Sequence, residues 1–282
     1  MAELTYPPQR QLSVGEVLDL SFRIYRVTLV RCLLLAGCGV ITGQLANLYT
    51  LLSGRRPAPG AAALEQLLAE LRDPTLWVLY FAGMVLTAIF YASVLLRQHG
   101  MISNGAVGGE VAAAVRRVPA LIGLGVLILL GGIACVLPAV VAGGALRVLL
   151  ALAAAVAVSY GFVAISCAQT VLLLEGSGPA ASIARSWRLT TGSFWRLSVI
   201  YTVALVILIA LYAVSAAVAG FIAGVLGRGD FAMVTAFAEV VGVALGALAT
   251  PFYGALALSV LADLKVRKEG ADLEQRISST AA

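Results

Sequence analysis

Six stretches of this chain are predominantly apolar over more than twenty residues each: 29–52, 75–96, 119–141, 146–174, 197–225 and 232–262. A helix needs about 20 such residues to cross the hydrocarbon of a bilayer. The pattern therefore predicts an all-α polytopic membrane protein of six transmembrane helices, forming one membrane domain over 1–282. The third and fourth spans are separated only by 142–145, where Pro138 and the pair Gly143-Gly144 favour a tight turn. Pro251 interrupts the sixth span and should kink it.

The polar connections carry a pattern of their own. Ser13-Val14-Gly15-Glu16 reads as a capping box that opens a helix. Along the helix Val14, Val17, Leu18, Ser21 and Tyr25 share one face, and Glu16, Asp19, Arg23 and Arg26 the other, with Asp19 and Arg23 four apart and able to pair. The spacing predicts an amphipathic surface helix over 13–28, lying along the membrane ahead of the first span. A second such helix is expected over 179–190. Gly109-Glu110 with Arg117 repeats the spacing of Gly15-Glu16 with Arg23, and Gly178-Pro179 with Arg185, Trp187 and Arg188 resembles it again. Three related hairpin units, 13–96, 107–174 and 178–262, would account for this; so would basic flanks alone, which any multi-span protein carries. Between the first two spans, Leu64, Leu67, Leu68 and Leu71 follow an i, i+3, i+4, i+7 stripe. Asp73-Pro74 reads as the cap and first turn of the next helix.

Composition excludes a soluble fold: 61% of residues are hydrophobic and 12% charged, against roughly half and a quarter in soluble domains. The charges that remain set an orientation. Fourteen of the Arg and Lys residues fall on the side of both termini and five on the other, so both termini are expected in the cytoplasm. Residues 1–28 lack the short apolar run of a signal peptide, and the first span is expected to stay in the protein. Cys32, Cys38, Cys135 and Cys167 sit in or beside apolar stretches without a CxxC pair and read as apolar fillers.

Candidate chemistry is sparse. His99 stands alone in the turn after the second span and reads as a surface residue. No HExxH, GxSxG or phosphate-binding glycine loop is present. Glu239 is the one acidic residue well inside a span, a default functional candidate. It could pair with Arg147 or Arg228, or line a cavity with Gln44 and Asn47. Near the other membrane surface Arg23, Arg26, Arg185, Trp187, Arg188, Trp195 and Arg196 form a basic and aromatic set suited to lipid headgroups or a partner.

Three blocks resemble a known family. They are Leu12-Ser13-Val14-Gly15-Glu16 with Phe22-Arg23-Ile24-Tyr25-Arg26; Leu174-Glu175-Gly176, Gly178-Pro179, Arg185-Ser186-Trp187-Arg188-Leu189 and Gly192-Ser193-Phe194-Trp195-Arg196; and Pro251-Phe252-Tyr253 with Asp263-Leu264-Lys265-Val266-Arg267-Lys268-Glu269-Gly270 and Asp272-Leu273-Glu274. Together they resemble the membrane domain of glycerophosphoryl diester phosphodiesterases, including its stand-alone bacterial relatives. In fused members the hydrolase is a separate soluble domain, and no residues here match its catalytic set. The resemblance implies a six-helix module of the bacterial inner membrane without hydrolase activity or cofactor. The expected function is non-enzymatic: scaffolding another membrane protein or handling membrane lipid, with no nucleic-acid partner. A small transporter or channel for an amphipathic solute using Glu239 is the alternative, and an integral-membrane lipid enzyme the third.

Overall fold

A computed structural model describes residues 6–53, 72–103, 105, 107–226 and 231–270. Ten helices are found among them, and six are long and apolar enough to cross a membrane. The protein is a multi-pass membrane protein.

Helix α1 (Val14–Gly43) opens on the expected capping box: the Ser13 N–H donates to Glu16 Oε2 at 2.7 Å and the Glu16 N–H to Ser13 Oγ at 3.3 Å. It differs from expectation in having no break near residue 28. The segment 13–28 is not a separate surface helix but the first half of one 30-residue rod. The reason is its apolar stripe. Val17, Leu20, Ile24 and Thr28 are buried against other helices, so the stripe faces protein rather than lipid headgroups. The rod ends at Gly43, and after Gln44 a short helix α2 (Leu45–Leu52) follows. The leucine stripe at 64–71 lies outside the described residues.

Helix α3 (Pro74–Ile102) starts as the sequence suggests, with Asp73 accepting from the Thr75 N–H at 2.9 Å and Pro74 in the first turn. It packs along α1 through small residues. Gly39, Gly43 and Gly83 let the backbones approach, and Thr87 Oγ1 crosses to the Gly39 carbonyl at 3.0 Å. Close packing of small residues with interhelical hydrogen bonds is how helices associate where no water drives them together.

A seven-residue helix α4 (Glu110–Arg116) leads into α5 (Val118–Val141). The tight turn expected at 142–145 is present, with Gly144 at φ +59°, and α6 (Gly144–Ile165) returns. Helix α7 (Ala168–Glu175) continues that span after a break at Ser166-Cys167. Helix α8 (Pro179–Thr190) matches the expected bounds. Helices α9 (Phe194–Leu226) and α10 (Phe231–Glu269) complete the bundle.

Burial is uneven, and that shows where the molecule is held together. In the most apolar window of each span, 44% of α10 is buried but only 11% of α5 and 17% of the α6–α7 span. Helix α10 is the hub, packed on α1, α3 and α9. The α5–α6 hairpin packs more on itself than on any other single helix and presents Leu129, Leu130, Val140, Leu149 and Phe162 outward. A bilayer is the medium that such a surface requires.

The three basic segments of the expected repeat differ in form. The first is part of a long rod, the second a single helix of seven residues and the third a helix of twelve.

Candidate functional site at the basic end of the bundle

The described parts of both chain ends reach one end of the bundle, where most Arg and Lys residues lie; we call it the basic end. Three acidic centres there hold cations internally.

The first centre is Asp263, 1% exposed, near the end of α10. Its carboxylate accepts from Arg196 Nη1 at 2.5 Å, Arg267 Nε at 3.0 Å and the Leu12 N–H at 2.8 Å. Arg196 Nη2 also donates to the Leu12 carbonyl at 2.6 Å, and Arg267 joins it there. One buried carboxylate thus ties the N-terminal segment to α9 and α10. The second centre joins α7, α8 and α10: Glu175 pairs with Lys265 at 2.7 Å and Arg185 at 3.4 Å, and Arg185 also pairs with Glu269. The third is Glu110, which starts α4. Arg97 Nη2 reaches it at 3.1 Å, and the Gly108 N–H donates to it at 3.0 Å. The hydrogen bond from Arg97 holds the Glu110 carboxyl below the usual carboxylate range.

These contacts divide the basic and aromatic candidates. Arg185 and Arg196 are consumed inside the bundle. Arg23 pairs with Asp19 at 2.8 Å on the exposed face of α1, the expected i, i+4 pair. Arg26 and Arg188 are exposed and carry no ion pair among the described residues, and the same holds for Arg31, Arg116 and Lys268. Trp187 is exposed and stands edge-on to Tyr160 at 5.5 Å, while Trp195 is 81% exposed beside Phe194. Tyr160 stacks on Phe194 at 5.1 Å, which joins α6 to the start of α9. The result is an aromatic cluster with free cations nearby, the composition of a membrane–water interface.

Helix α8 is held by the break between α6 and α7. The break leaves the Ala164 carbonyl without its usual backbone donor, and Ser186 Oγ (2.8 Å) and Thr190 Oγ1 (3.2 Å) donate to it instead. At the C-terminus of α7, Gly176 has φ +72°, and a Cβ there would stand 2.9 Å from Arg117 Nη2. The left-handed conformation favours glycine at that position, and a side chain there would also have to displace the Arg117 guanidinium.

The far end is simpler. Asn47 Nδ2 donates to Gln44 Oε1 at 2.5 Å, so these two candidates satisfy each other. Gly246 lies against Val40, and Glu239, two turns earlier on α10, falls toward the same end as Gln44 and Asn47. Glu239 is exposed, and no hydrogen bond or ion pair joins it to Gln44, Asn47 or Arg147 among the described residues. Arg228 lies outside them.

One polar residue has no counterpart among the sequence candidates, and another is placed differently. Gln98 is fully buried where α1, α3 and α10 meet, its Nε2 donating to Thr28 Oγ1 at 3.0 Å and to the Pro251 carbonyl at 2.8 Å. Hydropathy ends the second span at residue 96, which puts Gln98 in a turn. His99 is a correction: it is half-buried rather than on the surface, its Nδ1 enclosed without a partner and its ring edge-on to Tyr6 at 6.2 Å. The four cysteines are free thiols, and no group of three His, Cys, Asp or Glu residues able to hold a metal occurs among the described residues.

No family model matches this chain, and no match is found among curated proteins or solved structures.

Proposed function

We propose that this chain is a non-enzymatic module of the bacterial inner membrane, with both termini in the cytoplasm, that handles anionic membrane lipid at its cytoplasmic face. One observation carries the reading. After the internal pairs are discounted, Arg26, Arg31, Arg116, Arg188 and Lys268 remain exposed at the basic end without an ion pair among the described residues, in company with exposed Trp187 and Trp195. A cation near the cytoplasmic leaflet gains about 1 kcal/mol from anionic lipid, so several together favour that lipid clearly over a zwitterionic one.

Relationship to the membrane domain of glycerophosphoryl diester phosphodiesterases is part of the proposal. The block that carries the resemblance contains Asp263, Lys265, Arg267 and Glu269, the residues that fasten the N-terminal segment, α7 and α8 to the hub helix. Such residues would define a module rather than a catalyst.

Mass spectrometry of the protein released intact from mild detergent tests the reading. Retained phosphatidylglycerol in excess over phosphatidylcholine, from an equimolar mixture, is the expected outcome. Equal retention of the two would contradict it.

A further inference from the structure

The basic end contains a cleft of about 400 Å³ lined by Val27, Arg31, Gly100, Met101, Gly105 and Val107. We propose that this cleft seats the phosphate of one anionic phospholipid, with Arg31 as its counter-ion; the proposal rests on the lipid-handling reading and names its site.

Arg31 is the one ionised side chain among the lining residues, and it carries no ion pair among the described residues. Its neighbours cannot neutralise it. Arg97 Nη1 donates to the Arg31 carbonyl at 3.0 Å, which fixes the backbone of α1 there, while the rest of the Arg97 guanidinium is committed to Glu110. The nearby carboxylate is therefore already matched by a cation, and Arg31 is left over. An arginine at the edge of the hydrocarbon brings its guanidinium to the level of the lipid phosphates. A phosphodiester supplies two oxygens in the geometry a guanidinium binds best.

The surroundings select a lipid over a free phosphate. Val27, Val30, Arg31 and Leu34 lie on one face of α1, at helical spacing. Val30 and Leu34 are 82% and 75% exposed. They continue from the cleft toward the far end, so an acyl chain can follow them while the headgroup stays at Arg31. Val27, Met101 and Val107 add apolar side chains to a cleft wall that is otherwise polar. A small soluble anion would gain nothing from that stripe.

The test adds phosphatidylglycerol to delipidated protein and counts bound lipid by native mass spectrometry. Wild type is compared with Arg31→Gln, Arg31→Lys, Val27→Phe and, as a control at the far end of the bundle, Arg147→Gln. Val27 and the two arginines are exposed, so these changes leave the core intact. Arg31→Gln should lower occupancy of the first bound lipid about fivefold, the worth of one Arg near an anionic headgroup. Val27→Phe fills the cleft without changing charge and should lower it as well. Arg31→Lys should keep part of the binding, and Arg147→Gln should leave this first lipid in place. Unchanged occupancy in Arg31→Gln would overturn the proposal. Equal losses in Arg31→Gln and Arg147→Gln would overturn it too, by showing diffuse attraction, while the lipid-handling reading survived. Displacement of the lipid by millimolar glycerol 3-phosphate would overturn the choice of a lipid occupant. A wild type that does not prefer phosphatidylglycerol to phosphatidylcholine would instead sink the lipid-handling reading itself.

Discussion

Asp263 shows how much one residue can hold. Its carboxylate is buried and meets two guanidinium groups and one backbone N–H. Removing one partner of a buried ion pair leaves the other charges uncompensated and costs about 3–5 kcal/mol. Asp263→Ala should accordingly lower the melting temperature sharply and expose the N-terminal segment to protease. A surface change such as Arg188→Ala should do neither. Gly254 makes a second residue-scale case. A Cβ there would fall 2.3 Å from the Oε1 of Gln98, whose Nε2 binds Thr28 and the Pro251 carbonyl. Gly254→Ala must displace that amide, and overpacking of this kind costs about 1–3 kcal/mol. Thermal unfolding of the variant in detergent reads the loss. None of this was legible in the sequence. Leu12 and Arg196 stand 251 and 67 positions from Asp263, and Gln98 reaches Pro251 across 153. His99 was misjudged for the same reason, since the ring that covers it belongs to Tyr6.

Local elements were legible where their determinants are local. The Ser13–Glu16 capping box, the Asp73-Pro74 start of α3, the glycine turn before α6 and the bounds of α8 each depend on residues within about one helical turn, and all are present. The reading failed for 13–28 because an amphipathic stripe does not say whether its apolar face meets lipid headgroups or other helices. Here it meets α10 and α3. The break at Ser166-Cys167 also had no sequence signal, although its consequence is testable. Ser186 and Thr190 serve the freed Ala164 carbonyl, and an unsatisfied buried acceptor costs about 1–3 kcal/mol. The double change Ser186→Ala with Thr190→Val should loosen α8, seen as altered fluorescence of the tryptophans beside Tyr160 and Phe194. Helix α4 should respond to pH. The folded state lowers the Glu110 pKa, so its contribution is fully present above the ordinary carboxylate range. That contribution is lost as pH falls through the folded-state value. Wild-type melting should therefore decline on acidification more steeply than that of Glu110→Gln, and equal slopes would show that the Arg97 pair adds nothing.

At the scale of the whole molecule, hydropathy sufficed for six spans because the bilayer imposes a length on each. It could not show that α10 is the hub and the α5–α6 hairpin the periphery, since every span is apolar and burial depends on which neighbours meet. The same distinction governs the charges. The sequence put Arg185 and Arg196 in one class with Arg26 and Arg188, and folding separates those spent on internal pairs from those left free. The free set is the basis of the proposed function. The most direct measurement places wild type and a variant with Arg26, Arg31, Arg116 and Arg188 all changed to Gln in nanodiscs of mixed phosphatidylglycerol and phosphatidylcholine. The lipid contacting each is then quantified by spin-label exchange at low and high salt. Wild type should enrich phosphatidylglycerol at low salt and lose much of that preference at high salt, with the variant showing little preference at either. Equal lipid contact for the two proteins at both salt concentrations would contradict the account.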